Sequence, residues 1–211
     1  MFPPVEFADE EGLIAVGGDL SVDRLLEAYR GGIFPWPIED YPLLWFAPPE
    51  RAILAFDDFH VSRSLRKQMQ NTEYVVTIDA AFDDVLGACA APREYESGTW
   101  ILPPMIAAYN RLHRAGWAHS VEVWMDNELA GGLYGMAIGG YFAGESMFHR
   151  CSGASKIALV HLVEHLKNRG AKWIDVQMPT PLFESFGARC VARDGFMKML
   201  DEALSGENLF G

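Results

Sequence analysis

Between Gly131 and Phe148 the chain sets glycine at positions 131, 132, 135, 139, 140 and 144 among Leu133, Tyr134, Met136, Ile138, Tyr141, Phe142 and Phe148. That mixture fits antiparallel strands that another backbone or a ligand approaches closely, because glycine weakens a strand unless something needs the space. The apolar run then breaks into Gly144-Glu145-Ser146. A carboxylate and a hydroxyl beside glycine, at the end of a hydrophobic strand, mark a candidate site. Downstream, Ala154 to Arg169 carries Ile157, Leu159, Val160, Leu162, Val163 and Leu166, a stripe too wide for a surface helix. Gly170 stops it, and Lys172 to Gln177 follows as a strand.

Upstream, Ser21 precedes V-D-R-L-L-E-A-Y-R and Gly31-Gly32 follows it, which predicts a capped helix with Leu25, Leu26 and Tyr29 as its apolar face. Pro35, Pro37, Pro42, Pro48 and Pro49 then crowd one passage, predicting a rigid loop without regular structure that presents Trp36, Trp45 and Phe46. Residues 1–60 read as a small N-terminal domain and residues 61–211 as the main one. In the latter, Ser62 caps a helix to Gln70, residues 74–78 form a strand, and Asp79 starts a helix to Cys89 or Ala90. Pro103 and Pro104 open an amphipathic helix with Ile106, Tyr109, Leu112 and His113. His119 to Met125 alternates, with Ser120, Glu122 and Trp124 on its polar face, and Asp126-Asn127 turns it into a hairpin. A short helix lies around residues 183–186.

The chain has 211 residues, half of them hydrophobic, enough for one or two domains with a sizeable core. It shows no apolar leader and no long apolar run, so a cytoplasmic protein with no membrane partner is expected. Three widely spaced cysteines, Cys89, Cys151 and Cys190, suggest reduced thiols that pack. The net charge of −12 opposes a nucleic-acid partner, since phosphate binding draws its affinity from Lys and Arg. Local basic groups soften that objection: Arg63, Arg66 and Lys67; Arg111, His113 and Arg114; Lys167, Arg169 and Lys172. The remaining acidity suits steering of a cationic substrate.

His161-Leu162-Val163-Glu164-His165 matches a zinc-protease spacing, but few further ligands follow and the helix is accounted for as core, so no metal is expected. Asp175 and Gln177 alternate with Ile174 and Val176, which aims both polar side chains at one face of a mostly buried strand. Such groups need partners, in the core or in a substrate.

Six strings, Gly12 to Tyr29, Gly31-Gly32-Ile33-Phe34-Pro35-Trp36, Ser97-Gly98-Thr99-Trp100-Ile101, Ala118 to Glu122, Gly139 to Met147 and Ile174-Asp175-Val176-Gln177, resemble the leucyl/phenylalanyl-tRNA–protein transferase family. The resemblance runs from Gly12 to about Ala188. It implies an α+β chain, with a small N-terminal domain and a GNAT-like acyltransferase domain. It also implies transfer of Leu, Phe or Met from aminoacyl-tRNA to the N-terminal α-amine of a protein beginning with Arg or Lys, which marks that protein for degradation. No cofactor is implied, and a monomer is expected. By the same resemblance Asp175 and Gln177 form the catalytic relay, the Gln carbonyl engaging the amine and the Asp hydrogen-bonded to that Gln. Trp36, Trp100, Phe142, Gly144 and Glu145 hold the aminoacyl-adenosine, and Leu133, Met147, Leu162 and Leu166 line the amino-acid pocket. Aromatic faces suit an unstacked base.

The chain departs from the family pattern at Phe46-Ala47-Pro48-Pro49-Glu50-Arg51, at His149 and at Thr180-Pro181-Leu182, positions that bear on acceptor recognition. Arg150-Cys151-Ser152-Gly153-Ala154-Ser155 resembles a degenerate coenzyme A pyrophosphate loop, although a helix cap at Ser152 explains the same residues. Two alternatives therefore stand beside aminoacyl transfer: an acyl-CoA-dependent N-acetyltransferase, and a non-catalytic binder of N-terminal degradation signals.

Overall fold

A computed structural model describes residues 1–92 and 101–211. At the N-terminal end lie β1 (Leu13–Val16), α1 (Val22–Arg30), β2 (Phe34–Trp36) and β3 (Leu44–Phe46). The Ser21 hydroxyl accepts from the Arg24 N–H and starts α1 as expected. The proline-rich passage does hold regular structure, contrary to expectation: the three strands make an antiparallel sheet in the order β1-β3-β2. Pro35 is tolerated because β2 lies at the edge, where a missing N–H breaks no ladder. Trp45 is fully buried rather than presented, and its indole N–H donates to the Gly17 carbonyl at 2.9 Å.

Next come β4 (Glu50–Ala55), α2 (Arg63–Asn71), β5 (Val75–Ile78), α3 (Phe82–Ala90), α4 (Pro103–Arg114), β6 (Ala118–Met125), β7 (Glu128–Ile138) and β8 (Tyr141–His149). The chain ends with α5 (Ala154–Asn168), β9 (Trp173–Gln177), α6 (Pro181–Ser185), β10 (Arg189–Ala192) and α7 (Arg193–Leu204). One sheet of seven strands runs in the order β10-β4-β9-β8-β7-β6-β5. β4 falls within the first 60 residues, yet it belongs to this sheet, between β10 and β9. Every neighbouring pair is antiparallel except β8 and β9, which are parallel and pair at Ala143 and Asp175. An antiparallel meander, a long helix and a parallel returning strand together form the mixed α+β, GNAT-like arrangement.

Helices cover both faces of the sheet. On one side α1, α3, α4 and α7 pack against Tyr134, Met136, Tyr141 and Ala143; on the other, α5 packs against Leu133, Ala137, Phe142, Ile174 and Val176. Both faces of β7 are therefore buried, which is why its apolar residues do not alternate with polar ones. Asp126 and Asn127 turn β6 into β7 with φ of 52° and 63°, the two left-handed residues that a two-residue hairpin requires.

Several local expectations change. Asp79 does not start α3; it sits in a turn where its carboxylate accepts from the Ser120 N–H at 2.9 Å and from His119 Nδ1 at 2.6 Å. Glu122, expected on a polar face, is fully buried and satisfied by the Thr77 and Ser120 hydroxyls. Ser152 does not cap α5; Gly153, at φ 83°, occupies that position. β10 and α7 lay outside the elements read from sequence. Of the three free cysteines only Cys89 is buried.

Candidate active site

The parallel pair β8 and β9 is in register at one point, and both strands are irregular just beyond it. On β8, Ser146 lies opposite Tyr134 and Gly144 opposite Gly135, so Glu145 is the extra residue of a bulge. On β9, Gln177 lies opposite Ala52 and Asp175 opposite Ile53, and Gln177 adopts φ 54°. Bulges re-aim side chains, and a non-glycine residue in the left-handed region costs about 1–2 kcal/mol, so the strain is concentrated where these two strands part. Between them opens a cleft of about 490 Å³.

One end of the cleft is apolar. Leu133 from β7, Met147 from β8, and Leu159 and Leu162 from α5 form its floor, and Leu182 and Phe183 of α6 close it. The Thr180 hydroxyl caps α6 by accepting from the Phe183 N–H at 3.3 Å, so this departure from the family pattern shapes a wall of the cleft. The other end is polar and carries Glu145 and Gln177, with Gly144 beside them and Phe34 and the half-buried Trp36 across from them. A Cβ on Gly144 would meet nothing nearer than 3.7 Å, so the glycine leaves open the approach to Glu145.

Seven of the site residues expected from sequence meet here: Trp36, Leu133, Gly144, Glu145, Met147, Leu162 and Gln177. Phe142 and Leu166 do not. Phe142 faces α5 and packs against Phe210 at 5.7 Å, and Leu166 is core. Trp100 lies outside the described residues.

Asp175 is fully buried and does not line the cleft. Its oxygens accept from Arg51 Nε at 2.9 Å and Nη2 at 2.7 Å, from the Tyr141 hydroxyl at 2.6 Å, and from the Gln177 backbone N–H at 2.9 Å. The side-chain bond expected between Asp175 and Gln177 is thus replaced by a backbone bond, because the bidentate Arg51 pair occupies the carboxylate. Arg51 also donates to the Gly32 carbonyl at 3.2 Å and lies between the rings of Phe34 and Phe196. Burial alone would lower its pKa, but Asp175 outweighs that and holds the guanidinium above its ordinary value.

The Gln177 side chain, which lines the cleft, turns instead to Glu145, donating from Nε2 to Oε1 at 3.3 Å. Glu145 is also hydrogen-bonded to the Tyr29 hydroxyl at 2.6 Å and to the Tyr109 hydroxyl at 2.8 Å. Burial pushes Glu145 up to about 7; the two tyrosine bonds oppose the rise, Asp175 adds to it and Arg51 counters it. Burial, with Glu145 next, raises both tyrosines well above their usual range.

Arg51, Tyr29, Tyr109, Tyr141 and Leu159 were not expected at the site from sequence. The three tyrosines sit at apolar positions of helix or strand patterns, where phenols and phenylalanines look alike. Arg51 was visible only as part of a departure. His161 and His165 have structural partners, the Tyr74 hydroxyl at 3.3 Å and the Leu209 carbonyl at 2.9 Å. Arg150 donates to the Leu129 carbonyl at 3.2 Å. No helix among the described residues is long and apolar enough to cross a membrane.

Comparison with known proteins gives the family. The family model described as "Leucyl/phenylalanyl-tRNA protein transferase" matches residues 53–201, and its N-terminal domain model matches residues 18–49. A leucyl/phenylalanyl-tRNA–protein transferase of Pseudomonas fluorescens is 54% identical over 98% of this chain and 92% of its own length. One from Stutzerimonas stutzeri is 55% identical over 94% of this chain and 89% of its own. One from Chromobacterium violaceum is 52% identical over 96% and 88%. Among solved structures, "The structure of L-PGS from Bacillus licheniformis" aligns with a TM-score of 0.41 at 14% identity, over 71% of this chain and 48% of that one. Matched across both of its parts and along nearly its full length, the chain belongs to the leucyl/phenylalanyl-tRNA protein transferase family.

Proposed function

We propose that this protein, a cytoplasmic monomer, moves Leu, Phe or Met from aminoacyl-tRNA to the N-terminal α-amine of a protein beginning with Arg or Lys. The observation that carries the reading is a cleft in which apolar side chains meet Gln177 and Glu145. The apolar end fits an uncharged, unbranched-at-Cβ side chain by shape and rejects charge by desolvation. Trp36 offers a ring to the terminal base, a stacking contact worth about 1–3 kcal/mol. At the polar end the Gln177 carbonyl, held by the bond from its own Nε2 to Glu145, accepts a hydrogen from the attacking amine and aims the nitrogen at the ester carbon. A neutral amide is a feeble base, so orientation supplies most of its effect. Asp175 acts from beneath, fixing the turn at Gln177 through that residue's backbone N–H. It is a positioning residue.

The test uses radiolabelled leucyl-tRNA and a peptide beginning with Arg. Labelled peptide is expected from the wild type, a strong loss of rate from Gln177→Ala, and weakened aminoacyl-tRNA binding from Trp36→Ala. Acetylated peptide formed from acetyl-CoA without tRNA, with no leucyl transfer, would replace this reading by the acetyltransferase one.

A further inference from the structure

Glu145, Tyr29 and Tyr109 form a closed triangle of oxygens. Tyr29 and Tyr109 lie 2.5 Å apart, Tyr29 is 2.6 Å from Glu145 Oε1, and Tyr109 is 2.8 Å from Oε2. Oxygens this close, away from water, each need a hydrogen between them, since two lone pairs facing one another repel. Three contacts require three hydrogens, and two phenols carry only two. Each phenol is fully buried, so neither finds its hydrogen in solvent. The third hydrogen belongs to the carboxyl group. The surroundings agree: the nearby cation, Arg51 of β4, is committed to Asp175 of β9, while Tyr134 of β7 and Tyr141 of β8 are neutral phenols. From the cleft side Gln177 offers an uncharged amide. Burial that pushes Glu145 up to about 7 is in keeping with a carboxyl that holds its proton at neutral pH.

We propose that Glu145, kept in its acid form by burial and by the third hydrogen that the closed triangle needs, gives a proton to the departing ribose oxygen and takes one back from the nitrogen, with the two tyrosines as positioning residues. The inference rests on the transfer reaction proposed above. In that reaction the nitrogen lone pair forms the new C–N bond and the carbonyl π pair moves onto oxygen. Collapse restores the C=O bond and breaks the C–O bond to the ribose. The ribose oxygen gains the Glu145 proton, the nitrogen loses its surplus proton to the resulting carboxylate, and the protein ends as it began. A group with affinity near the working pH is suited to both halves of this exchange.

Two measurements test it. The first is the pH profile of single-turnover transfer for the wild type, Tyr109→Phe and Glu145→Gln. The wild-type rate is expected to rise as the acceptor amine loses its proton and to fall as Glu145 loses its own. Glu145→Gln is expected to lack the falling limb and to be slower by about 10²–10⁴-fold. Tyr109→Phe opens the triangle, so the position of its falling limb shifts. A falling limb that stays in place in Tyr109→Phe and survives in Glu145→Gln overturns the proposal. The second is infrared spectroscopy of protein carrying ¹³C-labelled glutamate. A protonated-carboxyl band is expected at neutral pH, absent from Glu145→Gln; a wild type without it overturns the proposal even if the variant does not fold. A wild type that transfers no leucine defeats the function reading, whereas active transfer with unmoved limbs defeats only the role given to Glu145.

Discussion

Arg51 and Asp175 form an ion pair that lies outside the lining of the cleft. Both are sealed, at 2% and 0% exposure, and each satisfies the other's charge. Removing one leaves the other charged and buried, which costs about 3–5 kcal/mol. Asp175→Ala is therefore expected to lower the unfolding free energy measured by urea titration by that much, and to lose transfer because the chain under Gln177 loosens. Replacing both partners with apolar residues should recover much of the stability; a single variant as stable as the wild type would show that the pair is not buried in solution. Glu145 has the opposite character. Its carboxyl binds protons more tightly in the fold, at about 7, than at its ordinary 4.5. Between those values the folded state holds more protons than the unfolded one, so stability falls as pH rises through this window and the loss is complete above about 7. Glu145→Gln removes the effect. Urea titrations at several pH values should show the variant gaining on the wild type from acid to neutral pH, by at most about 3 kcal/mol before water at the cleft mouth reduces it.

At the scale of elements, the site depends on how closely β7 and β8 approach. A Cβ on Gly135 would lie 2.2 Å from the Ala143 carbonyl and 2.5 Å from the Phe142 ring, a few residues from Glu145 on the same strand. Gly135→Ala must push the strands apart. Overpacking of this kind costs about 1–3 kcal/mol or more, and here it also shifts the Glu145 bulge. A drop in melting temperature together with a fall in transfer rate is expected; intact activity in a destabilised variant would separate the bulge from catalysis. Most of the elements were legible. The caps at Ser21 and Ser62, the turn at Asp126-Asn127 and the apolar face of α5 each follow from local chemistry. The strands at Phe34–Trp36 and Leu44–Phe46 were not, because proline forbids a central strand and only the partners show that β2 lies at an edge.

For the whole molecule, the charge of −12 sets a limit on how tRNA is held. Arg63, Arg66, Lys67, Arg111, Arg114, Lys167, Arg169 and Lys172 are all exposed, but they are spread over α2, α4 and the region of α5. Few of them can meet phosphates at once. Since each contact adds about 0.7–0.9 to the slope of log affinity against log salt, aminoacyl-tRNA binding should be only weakly salt-dependent, with a slope magnitude below about 3. Binding measured over a series of KCl concentrations checks this, and a slope beyond about 6 would mean an extended phosphate interface.

The amino-acid order already contained the family, the mixed α+β class and seven of the residues around the cleft. These are carried by local strings and by apolar periodicity, which act over a few neighbours in the chain. It did not contain the triangle of Tyr29, Tyr109 and Glu145, whose members are separated by 36 to 116 positions. Nor did it contain the burial of Asp175 against Arg51, 124 positions away. A tyrosine in an apolar stripe and an aspartate on a strand have the same pattern whether they meet substrate or each other. Only the packing of helices onto the sheet decides which polar atoms lose water, and with it which carboxyl keeps its proton and which is locked in an ion pair.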